Sequence, residues 1–408
     1  VYCLMGYKMN TRTALPSPSR EANPYFKYQL GWLTADNIAT PGGISGTYRV
    51  HAFDQGSVDA GKYYAMRIPR DSSYTYWFSF RQAITNLPDS KWSQGGLEVR
   101  YGGESIRATS GTTMLWDMTP GSRGYDGTNF ASPGSAMATM HDAPLQIGRT
   151  YTDEGADIHV TPIKKGGTTP ESLDVVANFG PFPGNQAPTL SISPTNISLA
   201  AGAAQTFTAT ASDPDGDMLA YYWEFDDNTA LGGADFGGLN ADSRLSTNAS
   251  HSWSQSGPNF VRCTVSDMKG QTRTFSTMVT VSNGTAAPIT ASGVIKDELG
   301  NPLEGALVNN FKSGIWYGHT NFAGSSVTAA DGKYRITIPR TNYTYTFSAM
   351  YKGYGFTCSN YPGGSVWVGS ASVSNVDFTR VRTSYLISGG VYGPGGGGYS
   401  SATDGDLW

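Results

Sequence analysis

Three carboxylates at alternate positions around a glycine turn, Asp213, Asp215 and Asp217 of "DPDGD", have the spacing that comes closest to metal chemistry. Oxygen ligands placed this way suit a hard cation, and calcium is the ion they lead one to expect. The stretch is too short for an EF-hand, having no Glu at a twelfth position, and a solvated polar turn accounts for the same residues. Both readings stay open. Zinc chemistry asks for two histidines at i and i+4 on one helical face with a Glu beside them. That spacing aims both imidazoles at one ion while the carboxylate takes a proton from water. The five histidines here, His51, His141, His159, His251 and His319, are dispersed, and none precedes a Glu. They read as strand or loop residues with structural or solvent-facing roles.

Other reactive groupings lead no further. Glu224, Asp226 and Asp227 suggest a glycosidase pair, but they follow Trp223 in what reads as a strand and its turn. "GPGGGG", Gly393 to Gly398, satisfies a dinucleotide-loop pattern with no helix after it. No residue is assigned a catalytic role. Cys3, Cys263 and Cys358 are odd in number and far apart, which argues against a disulfide framework. Cys263 shares one strand face with Val261 and Val265, the place of a small core residue. Asn196, Asn248, Asn283 and Asn342 head N-x-S/T triplets and are candidate N-glycosylation sites, although such triplets also arise by chance in a chain this rich in Ser and Thr.

A net charge of −4 with scattered Lys and Arg offers no basic stripe for a phosphate backbone, so nucleic acid is excluded as a partner. No run of 18 apolar residues spans a membrane, and no signal peptide stands at the start; an exported chain would have lost it.

The elements that must hold these residues are strands. With 408 residues, the chain exceeds one hydrophobic core, and two to four domains are expected. Glycine (51), proline (22), 12% aromatic and only 15% charged residues, with apolar positions alternating with Ser or Thr, describe an all-β chain of many turns. Helical periodicity never runs beyond about a dozen residues, leaving at most a short turn near Ile84. Two segments dense in Pro, Gly and Asn, "FGPFPGNQAPTLSISP" (179–194) and "SNGTAAPITASG" (282–293), divide the chain into three blocks. The first carries "TYRVHAF", "KYYAMRI", "YTYWFSFR", "GLEVRYG", "TMLWDMTPGS" and "DIHVTPI", an antiparallel sandwich or partial barrel. The middle block has the strand runs of a seven-strand sandwich. In the third, Gly-Asn-Pro and Asp-Gly mark tight turns around the alternating "KYRITIP".

In the middle block the order "NQAPT", "ATASDPDGD", "YYWEFDD", "VRCTVSD" resembles the PKD family of immunoglobulin-like domains. Trp223 and Phe225 would point to one face, with Trp223 in the core. The third block resembles the carboxypeptidase regulatory-like (transthyretin-like) sandwich at Asp297, Gly300, Pro302, Gly305, Ala306 and Val308, then Thr328, Asp331, Gly332 and Tyr334. That resemblance implies a spacer or binding module. From Tyr385, "YLISGGVYGPGG" restarts the phrase, as a further repeat cut short would.

The first block is similar to gametolysin-like zinc metallopeptidases and their immune-inhibitor-like relatives in three phrases. These are "PYFKYQLGWL", "GLEVRYG" with "TMLWDMTPGS", and "DAPLQIGRTYTDEGADIHVTPI". The resemblance puts "YCLMGYK" at the Met-turn, with Met5 and Gly6 as structural residues under a zinc site. It also implies that the ligand helix would precede Val1 and that zinc would belong to the parent protein rather than to this chain.

The expected fold is therefore mostly β: serial antiparallel β-sandwich (immunoglobulin-like) domains after a short remnant of a metzincin-type catalytic domain. The expected boundaries are 1–40 (end of the peptidase domain with its Met-turn), 41–183, 187–283 (PKD), 288–380 (regulatory-like) and 381–408 (truncated repeat). The expected function is the non-catalytic C-terminal region of a secreted or cell-surface zinc metalloendopeptidase. Its partners would be protein or glycan at a cell surface or matrix. The alternative is an adhesive or filament-forming extracellular protein that self-associates. Whether any enzyme is involved stays open at this point.

Overall fold

The computed structural model describes residues 22–54, 58–81, 96–103, 113–116, 118, 144–167, 170–225, 242–284, 289–312, 322–338, 342–352, 354–381, 391–392 and 398–399. Met5 and Gly6 lie outside them. The mostly-β, serial-sandwich expectation holds: apolar alternation produces strands, and strands with one apolar face pair off into sandwiches.

The first sandwich joins two sheets. One runs β1 (Ile38–Ala39), β3 (Ala65–Pro69), β4 (Tyr74–Phe80), β5 (Gly96–Gly103), β6 (Met114–Trp116), with β7 (Leu145–Gln146) also on β5. The other runs β2 (Gly46–His51), β10 (Ser172–Phe179), β9 (Ile158–Gly166), β8 (Tyr151–Asp153). Tyr76, Phe78 and Phe80 on alternate positions of β4 meet Val50, Val160, Leu173 and Val175 of the facing sheet in one core.

The opposite face of β4 is also buried. A short helix, α1 (Pro24–Gln29), is started by Asn23, whose side chain accepts the Phe26 amide at 3.1 Å, with a proline in its first turn. It lays Tyr25 edge-on against Trp77, ring centroids 5.6 Å apart, and Lys27 donates to the Phe53 carbonyl at 2.7 Å. Leu33 and Ile38 complete this second cluster, and β1 pairs in parallel with β3. Residues 24–39 are therefore built into the first sandwich. On the same outer face Glu98 is buried between Arg81 at 2.7 Å and Arg100 at 3.4 Å, so its charge is compensated where water is excluded.

Among the described residues the second sandwich has seven strands. β11 (Thr189–Ser193), β13 (Ala204–Ser212) and β15 (Asn248–Ser252) form one sheet; β12 (Ile197–Ala200), β17 (Thr272–Ser282), β16 (Gly257–Ser266) and β14 (Ala220–Glu224) form the other. Trp223, Phe225, Phe207 and Trp253 fill its core, and Trp223 satisfies its indole N–H on the Ser246 carbonyl at 2.8 Å. Cys263 is fully buried between Val261 and Val265, and burial pushes its thiol well above its ordinary range.

The third sandwich packs β21 (Lys333–Thr337), β18 (Thr290–Lys296), β25 (Phe378–Val381) and β23 (Gly355–Cys358) on β20 (Phe322–Val327), β19 (Leu307–Lys312), β22 (Tyr343–Met350) and β24 (Ser365–Val368). The Asp297 side chain closes the first turn by accepting the Leu299 and Asn301 amides at 2.9 and 2.8 Å. In both later sandwiches the first and last strands of one sheet lie side by side in parallel, β12 on β17 and β18 on β25. Among the described residues no helix is long and apolar enough to cross a membrane.

At one end of the first core, Tyr151 donates to the Tyr76 hydroxyl and Tyr76 donates to Asp153, each at 2.7 Å; Arg70 donates to the same carboxylate at 2.7 Å. Burial would raise the Asp153 pKa, but the Tyr76 and Arg70 hydrogen bonds outweigh it and hold the carboxyl below the usual aspartate range. The stabilisation is therefore complete above the unfolded-state pKa and lost as pH falls through the depressed folded value. Asp153→Asn is expected to cost about 1–3 kcal/mol at neutral pH, the range for orphaning charged hydrogen bonds. The cost should shrink as acid protonates the wild-type carboxylate, a trend that denaturant titrations followed by aromatic fluorescence across pH would measure.

Candidate functional site

The acidic turn lies where the first two sandwiches meet, and its carboxylates are drawn to different partners. Asp213 turns back on its own loop, accepting the Asp215 amide at 2.9 Å and the Asp217 amide at 3.1 Å. Asp215 holds the linker, accepting the Gln186 amide at 2.7 Å and its side-chain amide at 3.2 Å. Asp217 is paired with the ammonium of Lys269. That ammonium also sits 5.2 Å from the centroid of the Phe182 ring, which belongs to the linker.

Beside the turn, Asp267 is fully buried. Its carboxylate accepts from Asn185 Nδ2 at 2.6 Å, the Lys269 amide at 2.7 Å and the Gln271 amide at 3.0 Å. Burial pushes its pKa up, against those hydrogen bonds. Among the described residues no group of three His, Cys, Asp or Glu is arranged to hold a metal ion. The donor set nevertheless leaves Asp213 Oδ2 and Asp217 Oδ2 buried without a hydrogen-bond partner. The position is one for a positive charge, and Lys269 supplies it.

The same region carries the joint between sandwiches. Ile163 and Val176 of the first pack with Ala220 and Met268 of the second in a small apolar cluster. Around it, the Ser243 amide and hydroxyl both donate to the Ile163 carbonyl, at 2.8 and 3.1 Å. Asn178 Nδ2 donates to the Met268 carbonyl at 2.8 Å, and Thr150 Oγ1 and Ser266 Oγ are 2.6 Å apart. Lys164 makes both a β-bridge and a 3.3 Å ion pair with Asp242. The approach is backbone to backbone at Gly148. Its φ is +94°, and a Cβ there would lie 2.1 Å from the Tyr221 carbonyl oxygen. Only glycine satisfies both conditions.

A second joint links the second and third sandwiches. Glu304 accepts the Thr274 amide and lies 3.3 Å from Arg273, while the Ala330 amide donates to the Thr274 carbonyl at 3.2 Å. Arg262 and Arg335 place their guanidinium groups 5.1 and 5.7 Å from the centroid of the Phe260 ring. Burial pushes Glu304 upward in pKa, partly offset by the Thr274 amide and Arg273.

The four sequon asparagines are all exposed. Asn196, Asn283 and Asn342 sit at turns with φ of +52°, +58° and +58°, a conformation asparagine tolerates. Asn248 differs: it lies within β15, and its side-chain oxygen accepts the Thr208 hydroxyl at 2.7 Å. Glu224 is exposed on β14, and Asp226 and Asp227 lie outside the described residues. Of the joint residues, Met268, Lys269 and Ser243 lie in no motif read from the sequence, whereas Gly148 falls inside the phrase "DAPLQIGRTYTDEGADIHVTPI", where nothing marks it as a contact. The polar linker that contains Asn185 marks only where the two blocks divide.

Two substitutions test the joint and the turn. Gly148→Val is expected to separate the first two sandwiches, costing about 1–3 kcal/mol through backbone strain and splitting a shared calorimetric transition into two. Lys269→Met is expected to cost about 1–3 kcal/mol by leaving Asp217 unpaired, read as a lowered melting temperature.

Residues 185–281 match the family model of the PKD domain. Among solved structures, the PKD domain of an M14-like peptidase from Thermoplasmatales archaeon SCGC AB-540-F20 is 25% identical, covering 24% of this chain and 97% of that one, with a TM-score of 0.19. The fibronectin(III)-like modules of Clostridium thermocellum CbhA are 12% identical over 49% of this chain and 98% of theirs, TM-score 0.18. BcpA, the major pilin subunit of Bacillus cereus, is 11% identical over 49% and 71%, TM-score 0.16. No curated protein matches the chain. The middle sandwich, with the acidic turn at its edge, is the part of the chain that the PKD family model matches.

Proposed function

We propose that this chain is an extracellular spacer: a non-catalytic accessory region that holds its neighbours at a fixed separation from a cell surface or matrix. The observation that carries this reading is the first joint. A flexible connector would leave two sandwiches free to tumble. Here the backbone of one is seated on the other at Gly148, with an apolar cluster and several hydrogen bonds around it. Such a construction transmits position. The PKD match supports an accessory role for the middle sandwich, and the turn pattern at Asp297 to Val308 supports a similar role for the third.

The finer reading attaches this spacer to a zinc metallopeptidase of the gametolysin-like kind. It is favoured by the packing of α1 onto Trp77, because the segment that resembles the end of such a catalytic domain is fixed to the first sandwich. A preceding domain would then be buttressed by that sandwich, with Met5 and Gly6 beneath its metal and zinc held by residues outside this chain. The adhesive reading shares the spacer and differs in the partner.

Protease shaving of intact cells is expected to release peptides from the first and third sandwiches into the medium; a chain recovered only from the cell interior overturns the extracellular reading. Casein digestion by the parent protein, abolished by a chelator and restored by zinc, is the expected outcome for the peptidase attachment. Inert polymers seen by electron microscopy would instead select the adhesive one.

A further inference from the structure

Both joints are seated on one hairpin. β16 and β17 pair antiparallel from Gly257 opposite Val281 to Ser266 opposite Thr272, and residues 267–271 turn between them. That turn faces the first sandwich. Met268 packs with Ile163 and Val176, and a Cβ on Gly270 would lie 2.9 Å from His159 Cε1. The next residues along β17, Arg273 and Thr274, are held by Glu304 of the third sandwich.

β17 leads away from the turn, from Thr272 to Ser282, and the chain then enters the third sandwich by β18. Two levels of contact show which way β18 runs. Near its start, Arg335 (opposite Ser292) donates to Asn259 (opposite Val279, towards the far end of β17) at 3.5 Å. At its end, the Leu303 amide donates to the Ile295 carbonyl at 2.9 Å and the Ile295 amide to the Gly332 carbonyl at 2.8 Å. These bonds bring Glu304 and Ala330 to Thr274, beside the turn. The third sandwich thus doubles back along the flank of the second. Its last strand β25 runs parallel to β18, Phe378 opposite Ile295, so the chain reaches Val381 at the same end. There Arg380 lies over the Tyr354 ring, and nearby Lys352 comes within 4.0 Å of Glu154 in the first sandwich.

The two joints differ in what holds them. The first has an apolar cluster and the close backbone approach at Gly148. Among the described residues no apolar core cluster spans the second, whose bonds are those of Glu304 and Ala330 to the Thr274 region and one from Arg262 to the Ser326 hydroxyl at 3.4 Å. Arg262 is buried there with its Nε lacking a hydrogen-bond partner, which costs free energy as long as the joint is shut. The Glu154–Lys352 pair is exposed on both sides and adds little. The second joint is therefore the nearer to parting.

We infer that the third sandwich is a clasp: Glu304 fastens it to the β16–β17 hairpin and so closes it onto the first sandwich, and releasing Glu304 swings it open while the first joint stays shut. The first joint keeps the fixed separation of the spacer reading, and the clasp adds two positions for the chain beyond Val381. Closed, that part is held beside the first sandwich; open, it is carried away. This use rests on the spacer reading, whereas the closure rests on the contacts alone.

The experiment is cross-linking of the full chain by a carbodiimide, which joins a carboxylate to an amine only where the two touch, with the linked peptides read by mass spectrometry. Isotope-labelled and unlabelled chains are mixed beforehand, so that links within one chain are told from links between copies. The expected record has Glu154 joined to Lys352 within single chains, alongside the first-joint pair Asp242 and Lys164, which lie 3.3 Å apart. Glu304→Ala is expected to lower the Glu154–Lys352 yield several-fold and leave the Asp242–Lys164 yield unchanged. The inference is overturned if Asp242–Lys164 forms without Glu154–Lys352, if that link joins labelled to unlabelled chains, or if Glu304→Ala leaves its yield unaltered. Should Glu304→Ala lose both links through misfolding, Arg273→Ala takes its place under the same criteria, since it removes a partner of Glu304 from a half-exposed position. Failure of the surface-shaving experiment would remove the extracellular role and leave these yields as they are.

Discussion

A sheet with one apolar face must lay that face against another, and this chain meets the requirement three times with separate sets of residues. Tyr76, Phe78 and Phe80 close the first core, Trp223, Phe207 and Trp253 the second, and Tyr334, Tyr345 and Phe347 the third. Because each sandwich buries its own aromatics, each can exist as a unit, and what lies between them is free to be specified separately. The joints are that second level of specification. They use backbone groups, a few small side chains and buried carboxylates, a different inventory from the cores.

The buried carboxylates show the difference. Asp267 and Glu304 stand at the two joints, both raised in pKa by burial and both accepting backbone amides across or beside a linker. A carboxylate raised in this way costs stability as it ionises, so these groups would not be chosen for strength alone. Glu304 satisfies the Thr274 amide across the second joint, and Asp267 satisfies the Lys269 and Gln271 amides of its own turn together with the linker's Asn185. Asp153, by contrast, is depressed by Tyr76 and Arg70 and stabilises the first sandwich near neutral pH.

Much of the architecture was legible in the chain. The alternation of Ser or Thr with apolar residues announced strands, and the Pro-Gly-Asn segments announced linkers. The phrases around Asp213, Trp223 and Cys263 pointed to a PKD domain, which the family match bears out. The site was less legible. Spacing alone made Asp213, Asp215 and Asp217 look like a set, yet in the fold each serves a different partner: its own turn, Gln186 and Lys269. Spacing in sequence reports which groups are near in the chain, and says nothing of the cation that another strand end brings in. The position of α1 was equally unreadable, since six residues carry too little periodicity to show that they would cover Trp77.

By itself the sequence determined local matters: strand and turn, the inward face of the strands that carry Trp223 and Cys263, and the division into blocks, all set by neighbours along the chain. Only the tertiary structure decided that Gly148 would meet the Tyr221 carbonyl, that Lys269 would sit on Asp217, and that β18 would lie parallel to β25. Those are contacts between residues tens of positions apart. They follow from how finished sheets stack and cross, and no short window of sequence records that geometry.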